Sequence, residues 1–395
     1  MRKWPKKALW AGALALIVAV AGVVAARHIE GARAEQAHFE RGETEVVATD
    51  LAGSRQLRVY MAGVALGAET DVADASTGPV WLAKGDYFLR ADTAGETLFF
   101  PVTLTHFRCG PDEDGRFLLT VRSAPREAPP SGSYAYIPSG HFLIGERTNP
   151  REPHYVWLSG YFVGRFEVTN AEFQEFLRDP GGYNSPENWT EEGLRWKASN
   201  TSQASAILAP DHAEHRRFGQ PDQPVTGVSW FEAHAFCQWM TAMNRGRHWR
   251  FRLPTDAQWE KAARGQDGFD YGLSRRISDE EAKLYNWKKN PIAEETVIGV
   301  EETRRRFKPN RYGIYHMSGN IAEWTQSAFR PFSRTAPYTE EDARNRDSLP
   351  DQRTARGGSW YSASIALLSA SYRDAFLPEH RNNDLGFRVA VQVEP

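Results

Sequence analysis

The hydrophobic positions of this chain change texture three times. Residues 8–26 are an unbroken run of apolar side chains and glycine behind a basic start, MRKWPKK. As a helix rising 1.5 Å per residue, the run would span roughly 30 Å, one hydrocarbon core. The basic flank favours an N-terminus held in the cytoplasm and an exported remainder. A cleaved signal peptide ending near Ala25 and Ala26 is the competing reading, but the run is long for a signal core. The expectation is a signal anchor over 1–27 and a polar, helix-prone spacer over 28–44. The protein would then be single-pass in the inner (cytoplasmic) membrane, with its soluble part in the periplasm or outside.

From 45 to 125 short alternating stretches take over, at 57–60, 80–82, 87–90, 98–102 and 117–121, divided by Gly, Pro and Asp turns. This pattern predicts a small β-sandwich-like domain. REAPPSGS, with two prolines and then Ser-Gly-Ser, marks a linker over 126–134. Beyond it, over 135–395, paired strands at 136–144 and 154–158 lead into three helices whose starts are written in the sequence. Thr169 with Glu172, Ser229 with Glu232 and Thr255 with Gln258 each match the capping box. The first helix would turn Phe173, Phe176 and Leu177 inward, the second Ala233, Phe236, Cys237 and Met240, and the third Trp259, Ala262 and Ala263. After that, periodicity fades. The class expected is α+β with low regular content.

Charge and cysteine narrow the function. With 48 basic and 50 acidic residues the net charge is −2, so no global field draws nucleic acid. Only Cys109 and Cys237 occur, too few and too far apart for a disulfide framework or a zinc motif. Cys237 points into a helix core, against a reactive thiol. Thirteen Trp and 32 Gly suit an irregular backbone held by aromatic plates.

The most informative stretch is 312–325, YGIYHMSGNIAEWT, which fits neither a helix stripe nor a strand alternation. Gly313, Gly319 and Asn320 suit a shaped loop with left-handed backbone. Glu323, between Ala322 and Trp324, faces apolar surroundings and needs a cation or several donors. This stretch, with Arg356-Gly-Gly-Ser-Trp360, Asn383-Asp-Leu-Gly-Phe-Arg-Val389, Phe166-Glu-Val-Thr-Asn170, Pro224-Val-Thr-Gly-Val-Ser-Trp230 and Arg252-Leu-Pro-Thr-Asp-Ala-Gln-Trp-Glu260, resembles the formylglycine-generating enzyme (sulfatase-modifying factor) family. The blocks recur in that family's order, from about Tyr136 to Ala390. The resemblance implies a loop-rich fold related to C-type lectin-like domains.

In that family a cysteine pair soon after the Gly-Gly-Ser motif binds copper and oxidises a substrate cysteine. Ser362 stands where the first cysteine belongs, and no cysteine follows Cys237. Copper and its oxidation chemistry are therefore not expected, because a hydroxyl is a poor Cu(I) ligand. The resemblance also implies a structural calcium ion on the carbonyls of His316, Gly319 and Ile321 and the carboxylate of Glu323, a sensible set for a hard cation. Asp211-His-Ala-Glu-His215 reads as a solvated loop rather than an iron or zinc site, and His316 and His380 as structural or rim residues. The binding surface expected comprises Trp360, Tyr361, Arg373, Phe376 and Arg381, a mixture of aromatic and basic groups that interface hot spots favour. Two functions remain: an exported, anchored, non-catalytic module that binds an extracytoplasmic protein or glycan, and a periplasmic tailoring oxidoreductase with a different chemistry. Bound copper or iron would favour the second.

Overall fold

A computed structural model describes residues 129–393 except 131, 138–139, 146–153, 200–207, 209–210, 266–268, 274–281, 284, 289–295, 311 and 330–351, together with the backbone of strands between 44 and 104. The anchor and spacer expected over 1–43, the strand expected at 117–121 and Cys109 lie outside the described residues. Among the described residues, no helix is long and apolar enough to cross a membrane.

The N-terminal strands are β1 (Thr44–Val46), β2 (Gln56–Met61), β3 (Thr70–Asp74), β4 (Val80–Leu82), β5 (Gly85–Asp92) and β6 (Thr97–Leu104). Four of these six, β2, β4, β5 and β6, fall where alternation placed them, and β1 and β3 are additional to that reading. The next two are β7 (Tyr134–Ile137) and β8 (Gly140–Ile144), followed by β9 (His154–Leu158). β1 pairs with β4, and a six-stranded sheet runs in the order β3-β2-β5-β6-β8-β9. That sheet crosses the expected boundary at 126–134, because Thr103 of β6 pairs in parallel with Gly140 of β8. The stretch expected as the first strand of the C-terminal domain, 136–144, holds two strands, β7 ending at Ile137 and β8 beginning at Gly140.

All three capping boxes are formed, each with reciprocal bonds between the cap and the third helical residue. They open α1 (Asn170–Arg178), α4 (Trp230–Met243) and α5 (Asp256–Arg264). Three more helices are α2 (Glu191–Ser199), α3 (His215–Phe218) and α6 (Val300–Arg306). Phe173, Phe176, Phe236 and Cys237 are buried together with Trp230, Trp324 and Phe387 in the main core. Burial pushes the Cys237 thiol far up, so it stays protonated and inert. Trp259, Ala262 and Ala263 of α5 join a second core with Phe142, Val156, Ile314 and Met317.

Two four-stranded sheets frame these cores. One has the order β11-β16-β10-β7, with β10 at Tyr161–Gly164, β11 at Trp249–Arg252 and β16 at Ala390–Val393. The other has the order β14-β13-β12-β15, with β12 at Ala322–Ala328, β13 at Arg353–Arg356, β14 at Asp374–Phe376 and β15 at Leu385–Gly386. The second sheet carries parts of three motif blocks, at 322–325, 356 and 385–386, and frames the site.

Ser229 caps α4, accepting from the Glu232 N–H and meeting its carboxylate at 2.8 Å. Ser229→Ala is expected to lower stability by about 1–2 kcal/mol, read from chemical denaturation. An unchanged midpoint would show that the cap contributes nothing.

Candidate functional site

The loop before β12 has the shape that its composition asks for. His316 and Asn320 hold φ of 56° and 71°, and Gly313 and Gly319 hold 75° and 84°. Gly319 is also required by space, since a Cβ there would come within 2.5 Å of the Asn286 carbonyl oxygen. Asn320 closes the loop on three elements. Its Oδ1 accepts from Ile298 N at 2.8 Å and Asn286 Nδ2 at 3.1 Å, and its Nδ2 donates to Glu167 Oε1 at 3.0 Å. His316 bonds Thr303 through Nε2 at 2.7 Å. Burial first, and then the charge of Arg388, lowers its pKa to about 3.

Glu323 has its cation, and it is Arg388. Arg388 donates to both carboxylate oxygens at 2.6 Å, and Trp259 Nε1 donates to Oε2 at 2.7 Å. The same guanidinium reaches the carbonyls of Gly164 at 2.9 Å and Tyr315 at 3.0 Å. Burial raises the carboxyls of Glu167 and Glu323, and Arg388 pulls both back. The set His316, Gly319, Ile321 and Glu323 does not fit a calcium ion through Glu323, because a fixed guanidinium already occupies both oxygens and would repel a second cation. Among the described residues, no three His, Cys, Asp or Glu side chains converge on a metal position.

A second buried network lies behind the Gly-Gly turn. Arg356 bonds Asp256, donates to Glu260 Oε2 at 2.8 Å and reaches the Ala370 carbonyl at 2.8 Å. Glu260 also takes Arg264 at 2.8 Å, and Arg373 takes the second oxygen of Asp256 at 2.7 Å. Burial alone would raise the Asp256 carboxyl, but Arg356 and Arg373 together hold it below its ordinary range.

Between this network and β15 a cleft of about 290 Å³ opens, lined among others by Ser359, Tyr361, Ser362, Tyr372, Phe376 and Asp384. Ser359 donates to Asp384 Oδ2 at 2.7 Å, and the Ser362 hydroxyl accepts from Ser359 N at 2.9 Å. Of the five binding residues expected, Tyr361 and Phe376 line the cleft. The other three do not. Trp360 is buried against Phe218, Val297 and Ile321. Arg373 is held by Asp256, and Arg381 grips the carboxylate of Glu232, the buried capping residue of α4, with Nε at 3.0 Å. Buried carboxylates at helix N-termini thus claim the two cations that resembled hot-spot residues. Ser359, Tyr372, Asp374 and Asp384 were missed. The first and last lie inside quoted motif blocks, but 25 positions separate the bonded pair. Around Asp211–His215, Glu214 turns to Arg217 at 3.6 Å and to Asn383 at 3.2 Å.

These features define a loop-rich α+β domain whose polar pins shape a cleft beside a Gly-Gly-Ser turn. The model of the sulfatase-modifying factor enzyme 1-like domain matches residues 121–393, and the chain belongs to that family. The match takes in the stretch 126–134 read above as a linker. A hercynine oxygenase of Mycolicibacterium smegmatis is 31% identical over 290 residues, covering 67% of this chain and 62% of that protein. The inactive C-alpha-formylglycine-generating enzyme 2 of Mus musculus is 27% identical over 289 residues, covering 65% of this chain and 84% of that protein. Among solved structures, Treponema denticola variable protein 1 superposes with a TM-score of 0.48 at 24% identity, covering 65% of this chain and 94% of that one. The chain spans between 54% and 62% of the length of the hercynine oxygenases it matches.

Glu323→Ala leaves Arg388 buried without its carboxylate, and a loss of about 3–5 kcal/mol is expected in denaturant unfolding. Calcium should not change that loss. A calcium-dependent melting temperature in the parent that vanishes in the variant would restore Glu323 as a ligand. His316 predicts acid sensitivity. Its ordinary value is 6.5 and its folded value about 3, so between these pH values the unfolded chain binds a proton that the native chain does not. Stability should fall as pH drops through this window. His316→Asn, which tolerates the left-handed backbone, should flatten the fall between pH 7 and 5. An unchanged slope would place the sensitivity elsewhere.

Proposed function

We propose that the chain is a membrane-anchored, exported sulfatase-modifying-factor-like protein whose cleft binds a protein or glycan outside the cytoplasm and oxidises nothing with copper. One observation carries this reading. At the position where the resemblance puts a copper-binding cysteine, the cleft presents the Ser362 hydroxyl, tied as acceptor to Ser359 N at 2.9 Å. The one cysteine after residue 109, Cys237, is buried in the main core with its thiol pushed up. Soft thiolate selects copper; a hydroxyl bound into a turn does not. The mouse relative named as inactive supports a family member without catalysis. The basic start and the apolar run over 8–26 support the anchor.

A tailoring oxidoreductase is the second reading, favoured by the open cleft and by the likeness to hercynine oxygenases. Metal analysis of the purified chain separates the two, since stoichiometric copper or iron would support the oxidoreductase. For the first reading, a Cys-x-Pro-x-Arg peptide incubated with the full-length chain, copper and oxygen is expected to yield no aldehyde by mass spectrometry. Appearance of the aldehyde above a chain-free control would overturn it.

A further inference from the structure

The chain leaves α4 through a turn at 244–248 and enters β11, and this hook gathers Arg245, Arg247, His248 and Arg250, all exposed. Basic groups beside a helix C-terminus commonly serve its last carbonyls. Here other donors serve them. Asn244 Nδ2 donates to Met240 O at 2.8 Å, Asn244 N to Thr241 O at 3.2 Å and Arg245 N to Ala242 O at 3.4 Å. Trp249, buried at the start of β11, fixes the far end of the hook, and the Arg247 guanidinium lies over its ring at 4.6 Å. Opposing charge is sparse nearby. Glu187 reaches Arg245 at 3.8 Å with both side chains more than three-quarters exposed, a contact that solvent weakens. Asp179, at the end of α1, accepts from Trp239 Nε1 at 3.1 Å and from Gly181 N at 2.7 Å.

At the same place the fold leaves an apolar side chain in water. Met243, the last residue of α4, is 63% exposed, more than any other large hydrophobic side chain among the described residues. A Cβ on Gly246, within the turn, would meet no atom within 4 Å, so among the described residues nothing covers that part of the hook. An exposed apolar group flanked by arginines is the composition that settles at the boundary between lipid headgroups and acyl chains. The basic run of α6 is the contrast. There Arg305 pairs with Glu302, Arg306 donates to Glu302 at 3.3 Å and Arg304 lies over the Phe166 ring. None of the exposed large hydrophobic side chains among the described residues belongs to α6.

We propose that the hook at 243–250 is a contact with an anionic phospholipid surface, Met243 entering the headgroup boundary and Arg245 and Arg247 meeting the headgroup phosphates. The proposal rests on the membrane-anchored reading and deepens it. In that reading the apolar run at 8–26 holds the chain at one point, and the hook decides which face of the domain turns to the bilayer. A weak second contact suffices, because the anchor makes its formation intramolecular.

The test uses the full-length chain with vesicles of phosphatidylcholine alone or of phosphatidylcholine and phosphatidylglycerol in equal parts. Peroxide oxidation of Met243 is followed by peptide mass spectrometry, since thioether oxidation tracks exposure. Oxidation should be at least about fivefold slower with the anionic vesicles, the gain that one arginine near such a surface supplies. The protection should vanish in about 1 M salt, where screening is nearly complete. Buried Met317 should be indifferent to both. Arg245→Gln with Arg247→Gln should abolish the protection, whereas Arg304→Gln with Arg305→Gln, which removes as much charge from α6, should leave it intact. All four positions are exposed, so neither variant should change the melting temperature. Equal oxidation with the two kinds of vesicle, protection that survives the hook variant, equal loss in the α6 variant, or polyglutamate protecting as well as anionic vesicles would each overturn the proposal. Retention on neutral vesicles through a carbonate wash reads the anchor alone, so failure of the hook and failure of the anchored reading are distinguishable.

Discussion

The fold depends on one buried ion pair. Glu323 and Arg388 are both fully enclosed, 65 positions apart, and with Trp259 and the carbonyls of Gly164 and Tyr315 they join α5, β10, the loop before β12, β12 and the C-terminal block. Desolvating two charges is expensive, and a well-packed apolar substitute can be as stable. What an apolar substitute lacks is direction. β12 meets β15 in parallel over only Ala322↔Leu385 and Glu323↔Gly386, too short a ladder to set its own register. The bidentate pair sets it, because a slip of one residue would move Glu323 off the guanidinium and leave both charges unanswered. In a domain with so little regular structure, polar pins do what long ladders do elsewhere.

The same economy decides which charged groups are free for function. Asp256 sits in the first turn of α5, Glu260 one turn on, and Glu232 in the first turn of α4, and each takes an arginine from the C-terminal third of the chain. Carboxylates there also complement the helix dipole. Arg356 spans Asp256, Glu260 and the carbonyls of Ala370 and Tyr372, so the network that locks α5 also fixes one wall of the cleft. Structure absorbs these arginines, while Asp374 and Asp384 line the cleft and accept from the Ala375 N–H and the Ser359 hydroxyl.

How legible this was in the sequence follows from range. Capping boxes are contacts between residues three apart, and all three were readable. The helix faces followed from them. The irregular loop before β12 was readable from Gly313, Gly319 and Asn320, and so was the need of Glu323 for a cation or several donors. The identity of the cation was not, since Arg388 lies in a different motif block and nothing local distinguishes a guanidinium from a metal ion as the answer to a buried carboxylate. The ion pairs of Arg373 and Arg381 were hidden for the same reason. Beside Tyr361 and Phe376 the two arginines have the composition of a binding surface, while their partners, Asp256 and Glu232, are more than a hundred positions away in sequence and invisible to any local pattern.

A cleft can persist without its ancestral reaction when its shape does not depend on the reacting group. Gly357 and Gly358 hold φ of 94° and 64°, and a Cβ on Gly358 would come within 2.6 Å of the Leu367 carbonyl oxygen. Ser359 ties the turn to Asp384, and Arg356 ties the opposite wall to Ala370. None of these constraints passes through a sulfur at position 362. There the small Ser362 hydroxyl closes the turn by accepting from Ser359 N. The walls are therefore held by contacts that do not involve a thiol, and Ser362 takes part in the turn as a hydrogen-bond acceptor. The result is a preformed concavity whose lining mixes the hydroxyls of Ser359 and Ser362 with Tyr361, Phe376 and the carboxylates of Asp374 and Asp384.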